Sequence, residues 1–472
     1  MRKKSRWRPE RFVLWTLILI MPALSPAAEN AGKVQLPQYQ TIRFDNGMTL
    51  LLLERHQLPL VSFRWVLKSG GSIGDPEGRE GLASLTAQLL RKGTATRTAD
   101  QISGSLDFVG ANFHSGAAQE YAWGSAEFLK KDLNLAVDLL SDMLLHPTFP
   151  PGEVDKLIKQ EIDSIKEDKA VPQRVIQYYF DGFLFGAQRY GRPLGGTETS
   201  LSKITRDEIA SSYEAQFVPN ELILAVAGDF STSEVEAGLR EKFNSWKAKK
   251  VATPVVNEAS KAQGKHVLVV DKPDSTQTFF RLGNVGLART NPDWIPVQVV
   301  NTLFGGRFTS LINTALRIES GLTYGANSFF SSRRMPGSFV ISSFTPNDST
   351  ERALNMTLDA LKDLHEKGIS QDQLQSARNY IKGQFGPTIE TNDQLANLIG
   401  DLEFYGLGPQ YINTYFEKID AVTLADAKRI IETYYPLNHL DFVLIGKGSV
   451  IDPVARKLAS DVKHKFITDP GF

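Results

Sequence analysis

The sequence predicts an α+β protein made of two homologous domains, each a mostly antiparallel sheet covered on one face by helices, joined by a linker. Two observations support this fold class. Apolar segments typical of strands open each half of the chain, and segments with helical spacing follow them. The same order of elements also recurs at one constant offset of 218 residues. With 472 residues and 42% hydrophobic side chains, the chain is long enough for about two to four domains.

Strand-like segments begin each half, at residues 40–54 and 60–67 in the first and at 265–271 and 276–285 in the second. Apolar residues spaced by three and four positions then indicate helices. The clearest helical segments are residues 81–91, 131–145, 151–168, 352–366 and 371–385.

The repeat consists of a short capped helix, a turn containing Pro and Asn, a buried strand and a glycine turn. Three pairs of residues share the offset of 218: Thr205 and Thr423, Asn220 and Asn438, and Gly228 and Gly446. A polar stretch at residues 247–264 lies between the copies and has the composition of a linker. We therefore predict one domain over residues 29–246 and a second over residues 265–472.

Residues 1–28 have the order of a secretory signal peptide: a basic start, an apolar run and small residues at Ser25–Ala28. The apolar run, Phe12–Leu24, is 13 residues long, whereas a membrane span needs about 20. We expect cleavage near Ala28 and export, most simply to a bacterial periplasm, with no membrane attachment afterwards. An uncleaved anchor is the alternative.

Composition excludes several functions. The chain has no cysteine, which rules out disulfides, thiolate metal sites and a cysteine nucleophile. Residues 1–28 carry six basic and one acidic side chain, so the totals of 53 and 53 fall to 47 basic and 52 acidic, a net charge of −5. This mildly acidic body gives no indication of nucleic-acid binding, and it favours basic or neutral peptides as ligands.

The segment Gly70–Thr94, a glycine-rich turn, an apolar helix and then Lys-Gly-Thr, resembles the pitrilysin/insulinase family of zinc metallopeptidases. In that family the helix carries H-x-x-E-H, whose two His bind zinc together with a distant Glu, while the Glu within the motif is the general base. Here the three positions hold Ser84, Ala87 and Gln88. Ser and Gln are poor zinc ligands and Ala offers no ligand atom, so the resemblance implies no metal in this chain.

Nothing elsewhere in the sequence replaces the motif. The seven His include no pair three or four residues apart, so neither H-x-x-E-H nor H-E-x-x-H occurs. Glu161 falls near the family's third zinc ligand, in a register uncertain by a residue or more, and one carboxylate does not hold catalytic zinc. A surface helix acid is the simpler interpretation of Glu161, and a site assembled from distant His stays open.

A second family landmark is present in the other half. Residues 303–326 contain a glycine turn, a helix ending in Leu-Arg and then Gly-Leu-x-Tyr. The family's paired Arg and Tyr, which bind the substrate backbone and stabilise the tetrahedral intermediate, fall on Arg317 and Tyr324. By spacing alone, an Arg near a helix end and a Tyr packed in a strand are ordinary structural features. The surrounding motif favours the functional interpretation.

Some family members divide these parts between two chains that close as a clamshell. The resemblance implies that this chain is one half of such a clamshell: the non-zinc subunit of an exported heterodimeric peptidase. Arg317 and Tyr324 would act on unfolded peptides at the Zn²⁺ site of a homologous partner that carries H-x-x-E-H. The alternative is a non-catalytic peptide-binding or scaffold homologue. An independent hydrolase using Ser84 is disfavoured, because no His lies in its helix and no G-x-S-x-G elbow is evident near it.

Overall fold

The computed structural model describes residues 34–252 and 254–472. The expected signal peptide at residues 1–28 lies outside the described residues, so its export function stays a prediction. Within the described ranges, no helix combines the length and the apolar character that a membrane crossing requires.

The first half of the chain contains six strands and eight helices within the described residues. These are β1 Gln40–Arg43, β2 Thr49–Glu54, β3 Leu60–Leu67, α1 Leu82–Leu89, α2 Ala99–Val109, β4 Asn112–Ala117, β5 Ala122–Leu129, α3 Leu133–Leu145, α4 Pro151–Ala170, α5 Pro172–Phe185, α6 Glu198–Leu201, α7 Arg206–Gln216, β6 Leu222–Gly228 and α8 Thr232–Phe243. The predicted strand at residues 40–54 is interrupted by a turn, where Gly47 has a φ of 87° that favours glycine.

The second half contains six strands and nine α-helices within the described residues. These are β7 Lys265–Asp271, β8 Gln277–Val285, α9 Trp294–Phe304, α10 Leu311–Asn313, β9 Ala326–Phe330, β10 Ser338–Pro346, α11 Thr350–Lys367, α12 Gln371–Phe385, α13 Asn392–Tyr405, α14 Gln410–Asn413, α15 Tyr415–Ala421, α16 Leu424–Tyr434, β11 Leu440–Gly446, α17 Gly448–Leu458 and β12 Asp461–Phe466.

Each half forms one six-stranded sheet. The strand order is β1-β2-β6-β3-β5-β4 in the first sheet and β12-β7-β11-β8-β10-β9 in the second. Among the described strands, β2 pairs with β6 in parallel, as β7 does with both β11 and β12, and the other neighbours are antiparallel. The predicted class, two mostly antiparallel sheets covered by helices, is confirmed.

The structure also reproduces the repeat predicted from the sequence. Helices α7 and α16 begin and end at the offset of 218 residues, as do strands β6 and β11. Thr205 and Thr423 cap the two helices, and each forms a reciprocal capping box with the residue three positions later. Both strands are buried along their whole length, because each is central in its sheet.

Helices cover both faces of each sheet, not one face as the order of elements indicates, because the halves exchange a helix. Apolar residues of α5, from the first half, pack on the face of the second sheet that carries Val270 and Val443. Helix α13, from the second half, packs in the same way on Leu51 and Ile223 of the first sheet. The exchange leaves neither sheet with an apolar face open to water.

Candidate functional site

A cavity of about 690 Å³ lies where the exchanged helix α5 meets the second sheet. Its walls come from both halves of the chain: Gln173 and Ile176 in the first turns of α5, and side chains of β8, β9 and β10. The glycine turn after α9 and the residues Arg317 and Tyr324 complete the lining. The cavity therefore contains the second landmark predicted from the sequence.

Two glycines shape the turn after α9 by allowing close approach of the neighbouring chain. A Cβ added to Gly305 would lie 2.2 Å from the Ser328 hydroxyl oxygen, and one added to Gly306 would lie 2.9 Å from the Thr302 Cα. The amide of Ser328 donates to the Gly305 carbonyl oxygen at 3.1 Å. A larger residue at position 305 would push β9 away from α9, and one at position 306 would clash with the last turn of α9.

The helix that carries Arg317 is wider than the predicted α-helix. After one turn of α10, residues Thr314–Glu319 form a π-helix, a form that is rare and frequent at functional sites. The Leu316 carbonyl oxygen accepts hydrogen bonds from the Leu322 amide and the Ser320 hydroxyl, both at 2.9 Å. Gly321, with a φ of 65°, then turns the chain towards Tyr324.

Arg317 and Tyr324 both line the cavity, and neither is committed to a packed core. The Arg317 guanidinium lies 4.7 Å from the centre of the Phe308 ring, a cation–π contact. The Tyr324 side chain is 79% exposed, which excludes the interpretation that it packs within a strand. Its neighbours are fixed, since the Ser343 hydroxyl donates to the Gly325 carbonyl oxygen at 2.9 Å and the Thr323 hydroxyl to the same oxygen at 3.0 Å. A fixed backbone thus presents an exposed phenol.

The zinc-motif positions lie on α1 and do not fit a metal. The Gln88 side-chain amide donates to the Ser84 hydroxyl at 3.2 Å, so the two positions that hold His in the family bind each other. Ala87 is fully buried in the core of the first half. Neutral oxygen atoms and a methyl group supply none of the imidazole ligands that zinc requires here.

Other polar side chains do not compensate. Glu161 is partly exposed on α4, a helix that packs beside α1. Of the seven His, six have local polar partners: His56 with Asp229, His146 with Asp142, His266 with Asp461, His365 with the Tyr435 carbonyl, His439 with the Gly264 amide and His464 with Asp452. Among the described residues, no three His, Asp or Glu side chains form a group suited to a metal ion.

Two further arginines line the cavity and were missed by the sequence analysis. Arg281 lies on β8, and Arg307 follows the two glycines of the turn. The Arg307 guanidinium donates to the Ser376 hydroxyl at 2.9 Å. The sequence contains a signal that could have identified Arg281. Phe279, Arg281 and Val285 lie on the same face of the strand, and a charged side chain is unexpected on an apolar face.

Comparison with known proteins identifies the family. Residues 54–198 match the model described as insulinase (peptidase family M16), and residues 203–381 match the peptidase M16 inactive domain. The two matches together span more than half of the chain. The chain belongs to peptidase family M16, the family that its sequence resembles. At the family's zinc-motif positions it holds Ser84, Ala87 and Gln88, and residues 203–381 match the domain that the family model describes as inactive.

Individual relatives agree with this assignment. An uncharacterized zinc protease of Streptomyces coelicolor is 28% identical over 369 residues, covering 76% of this chain and 79% of the relative. A protein of Helicobacter pylori called a non-peptidase homolog is 23% identical and covers 83% of this chain and 90% of its own length. The crystal structure of a peptidase M16 inactive domain from Pseudomonas fluorescens superposes with a TM-score of 0.81 at 23% identity. The superposition covers 87% of this chain and 98% of the Pseudomonas fluorescens chain, which shows that the two share a fold.

Proposed function

We propose that this chain is the non-zinc subunit of an exported heterodimeric peptidase. It would supply Arg317 and Tyr324 to a homologous partner that binds Zn²⁺ through H-x-x-E-H, and the substrates would be unfolded peptides. The observation that carries the proposal is that Arg317 and Tyr324 line one open cavity while the zinc-motif positions of the same chain have become a Gln-to-Ser hydrogen bond. In this proposal the chain provides the Arg–Tyr pair, and the partner provides the zinc-binding helix.

The chemistry of the pair suits amide hydrolysis. As water adds to a peptide carbonyl, negative charge develops on the carbonyl oxygen, and donors aimed at that oxygen lower the barrier. The exposed Tyr324 hydroxyl is a neutral donor, and Arg317 adds a fixed positive charge with several N–H groups. Loss of one such donor typically costs about 2.7–4 kcal/mol of activation free energy.

The proposal is tested by mixing this chain with a homologue that carries an intact H-x-x-E-H and measuring hydrolysis of an unfolded peptide. Tyr324→Phe removes only the hydroxyl, and we expect turnover to fall by about one to three orders of magnitude while the two chains still co-elute on gel filtration. Tyr380→Phe is the matched control, because Tyr380 lines the same cavity and loses the same atom. It should retain wild-type turnover.

Four results would oppose the proposal. Wild-type turnover in Tyr324→Phe would refute the role of the phenol. Chelator-sensitive hydrolysis by the purified single chain, or stoichiometric zinc in it, would refute the division of labour between two chains. If the two chains assemble stably but the partner hydrolyses peptides equally fast without this chain, the result would instead support the scaffold alternative.

A further inference from the structure

The charge of the cavity lining is opposite to that of the chain as a whole. Arg281, Arg307 and Arg317 line the cavity, and among the described residues its lining includes no Asp or Glu. The remaining walls are mainly aromatic and small polar side chains. Since screening confines a surface charge to about 8 Å at physiological ionic strength, the lining and not the net charge of −5 determines what the cavity attracts.

Arg281 is the most unusual of the three. Its side chain points to the face of β8 that is covered by α5, and its guanidinium lies 5.7 Å from the centre of the Phe329 ring. The Nε and Nη1 atoms are buried and have no hydrogen-bond partner among the described residues. A buried guanidinium without an acceptor is costly, and proteins normally pair it with a carboxylate.

The carboxylate whose charge reaches Arg281 is hydrogen-bonded to a different arginine. Asp181 on α5 is the acid that acts on Arg281, and its Oδ2 accepts a hydrogen bond from Arg333 at 3.2 Å. Burial lowers the pKa of Arg281 to about 10, and the charge of Asp181 opposes this shift only in part. Arg281 therefore stays protonated at neutral pH, and its positive charge lies in the lining of an open cavity.

We propose that the cavity binds a peptide through a carboxylate group, and that Arg281 anchors this carboxylate. The inference rests on the proposed function in taking a peptide as the ligand, and it deepens that function by naming the chemical class of peptide. Arg–carboxylate contacts are short, charge-assisted and often bidentate, so a carboxylate in the cavity would compensate the positive charge of its lining. The volume of about 690 Å³ falls within the range of about 300–1,000 Å³ typical of ligand pockets.

The carboxylate has two sources in a peptide: the C-terminus and an Asp or Glu side chain. Isothermal titration calorimetry on the purified chain without a partner separates them with three N-acetylated penta-alanine probes. The first has a free C-terminal carboxylate, the second a C-terminal amide, and the third the same amide with Glu at the central position. We expect the first or the third probe to bind at least about tenfold more tightly than the neutral second probe.

Arg281→Gln should abolish this preference, so that all three probes bind like the neutral one. Arg352→Gln is the matched control, because Arg352 is exposed on α11 outside the cavity, and it should keep the preference. If Arg281→Gln fails to fold, Arg281→Met provides an apolar side chain of similar length for the same buried position. Circular dichroism and thermal unfolding would establish that each variant is native.

Tighter binding of the first probe assigns the C-terminal carboxylate, and tighter binding of the third assigns an acidic side chain. Equal affinity for all three probes, absence of binding, or an unchanged preference in Arg281→Gln would overturn the inference. The measurement uses no partner and no turnover. A carboxylate preference therefore stands even if Tyr324→Phe leaves hydrolysis unaffected, and its absence leaves the two-chain proposal intact.

Discussion

A buried ion pair fastens the second half of the chain to the exchanged helix, and removing one partner tests how the halves are joined. Arg333, in the loop between β9 and β10, donates to Asp181 of α5 at 3.2 Å. Both side chains are about nine-tenths buried. The Arg333 guanidinium also stacks 4.6 Å from the Tyr190 ring centre and 5.2 Å from that of Phe185. Arg333→Met keeps much of this apolar contact and removes only the charge.

The expected cost follows from the stranded carboxylate. Breaking a buried ion pair by removing one partner typically costs about 3–5 kcal/mol, because the other charge remains without compensation. Burial already raises the pKa of Asp181, with the charge of Arg333 opposing the shift. Without Arg333 the pKa of Asp181 rises further, so the native state binds a proton that the unfolded chain releases. Stability should then decrease as pH rises, and the loss should be larger at pH 8 than at pH 5.

Urea unfolding followed by tryptophan fluorescence measures the free energy of unfolding for the wild type and three variants. Arg333→Met should cost about 3–5 kcal/mol at pH 8, whereas the double variant with Asp181→Asn should recover most of it, because the unpaired carboxylate is removed as well. The Asp181→Asn single variant completes the cycle. A cost below about 1 kcal/mol for Arg333→Met, or one that does not change between pH 5 and pH 8, would refute this account of the ion pair.

Two further predictions concern stability. The carboxylate of Asp142 accepts hydrogen bonds from Thr94, Thr96 and Arg97 at 2.6–2.8 Å. Burial by itself would raise the pKa of Asp142, but these hydrogen bonds outweigh burial and lower the pKa. The contribution of Asp142 to the free energy of unfolding should be complete above about pH 5 and should be lost as acid protonates the carboxylate. In Asp142→Asn, unfolding by acid, followed by circular dichroism, should therefore depend less steeply on pH. A protease site at the exposed residues 247–250 should permit cleavage without separation of the halves on gel filtration; separate elution would contradict the helix exchange.

Local sequence signals predicted most of the fold. The strands at residues 60–67 and 265–271 and the helix at residues 371–385 have the predicted bounds, because alternation, helical spacing and a Ser370 capping box are encoded within each segment. The exchange of α5 and α13 could not be predicted in this way. An apolar helix face shows that a helix is buried, but it does not show against which sheet, since that depends on contacts between distant parts of the chain.

The site was predictable only in part, for a similar reason. Arg317 and Tyr324 were identified because glycines, a helix and their spacing form one continuous motif, and the structure places both in one cavity. The π-helix around Arg317 was not predicted, since no residue type specifies it. Arg281 was missed because its importance arises from what surrounds it: an apolar strand face, a covering helix and a cavity lining without Asp or Glu among the described residues.

The helix exchange also limits how this molecule can move. A linker at residues 247–264 would by itself permit the halves to hinge. Hinging would withdraw α5 from the second sheet and expose Val175, Ile176, Phe180 and other side chains that are now buried. Exposure of each large apolar side chain costs about 1.5–3 kcal/mol, and the Arg333–Asp181 pair would be broken as well. The two halves of this chain therefore act as one body, and in the proposed two-chain assembly the boundary that opens to admit a peptide lies between the chains.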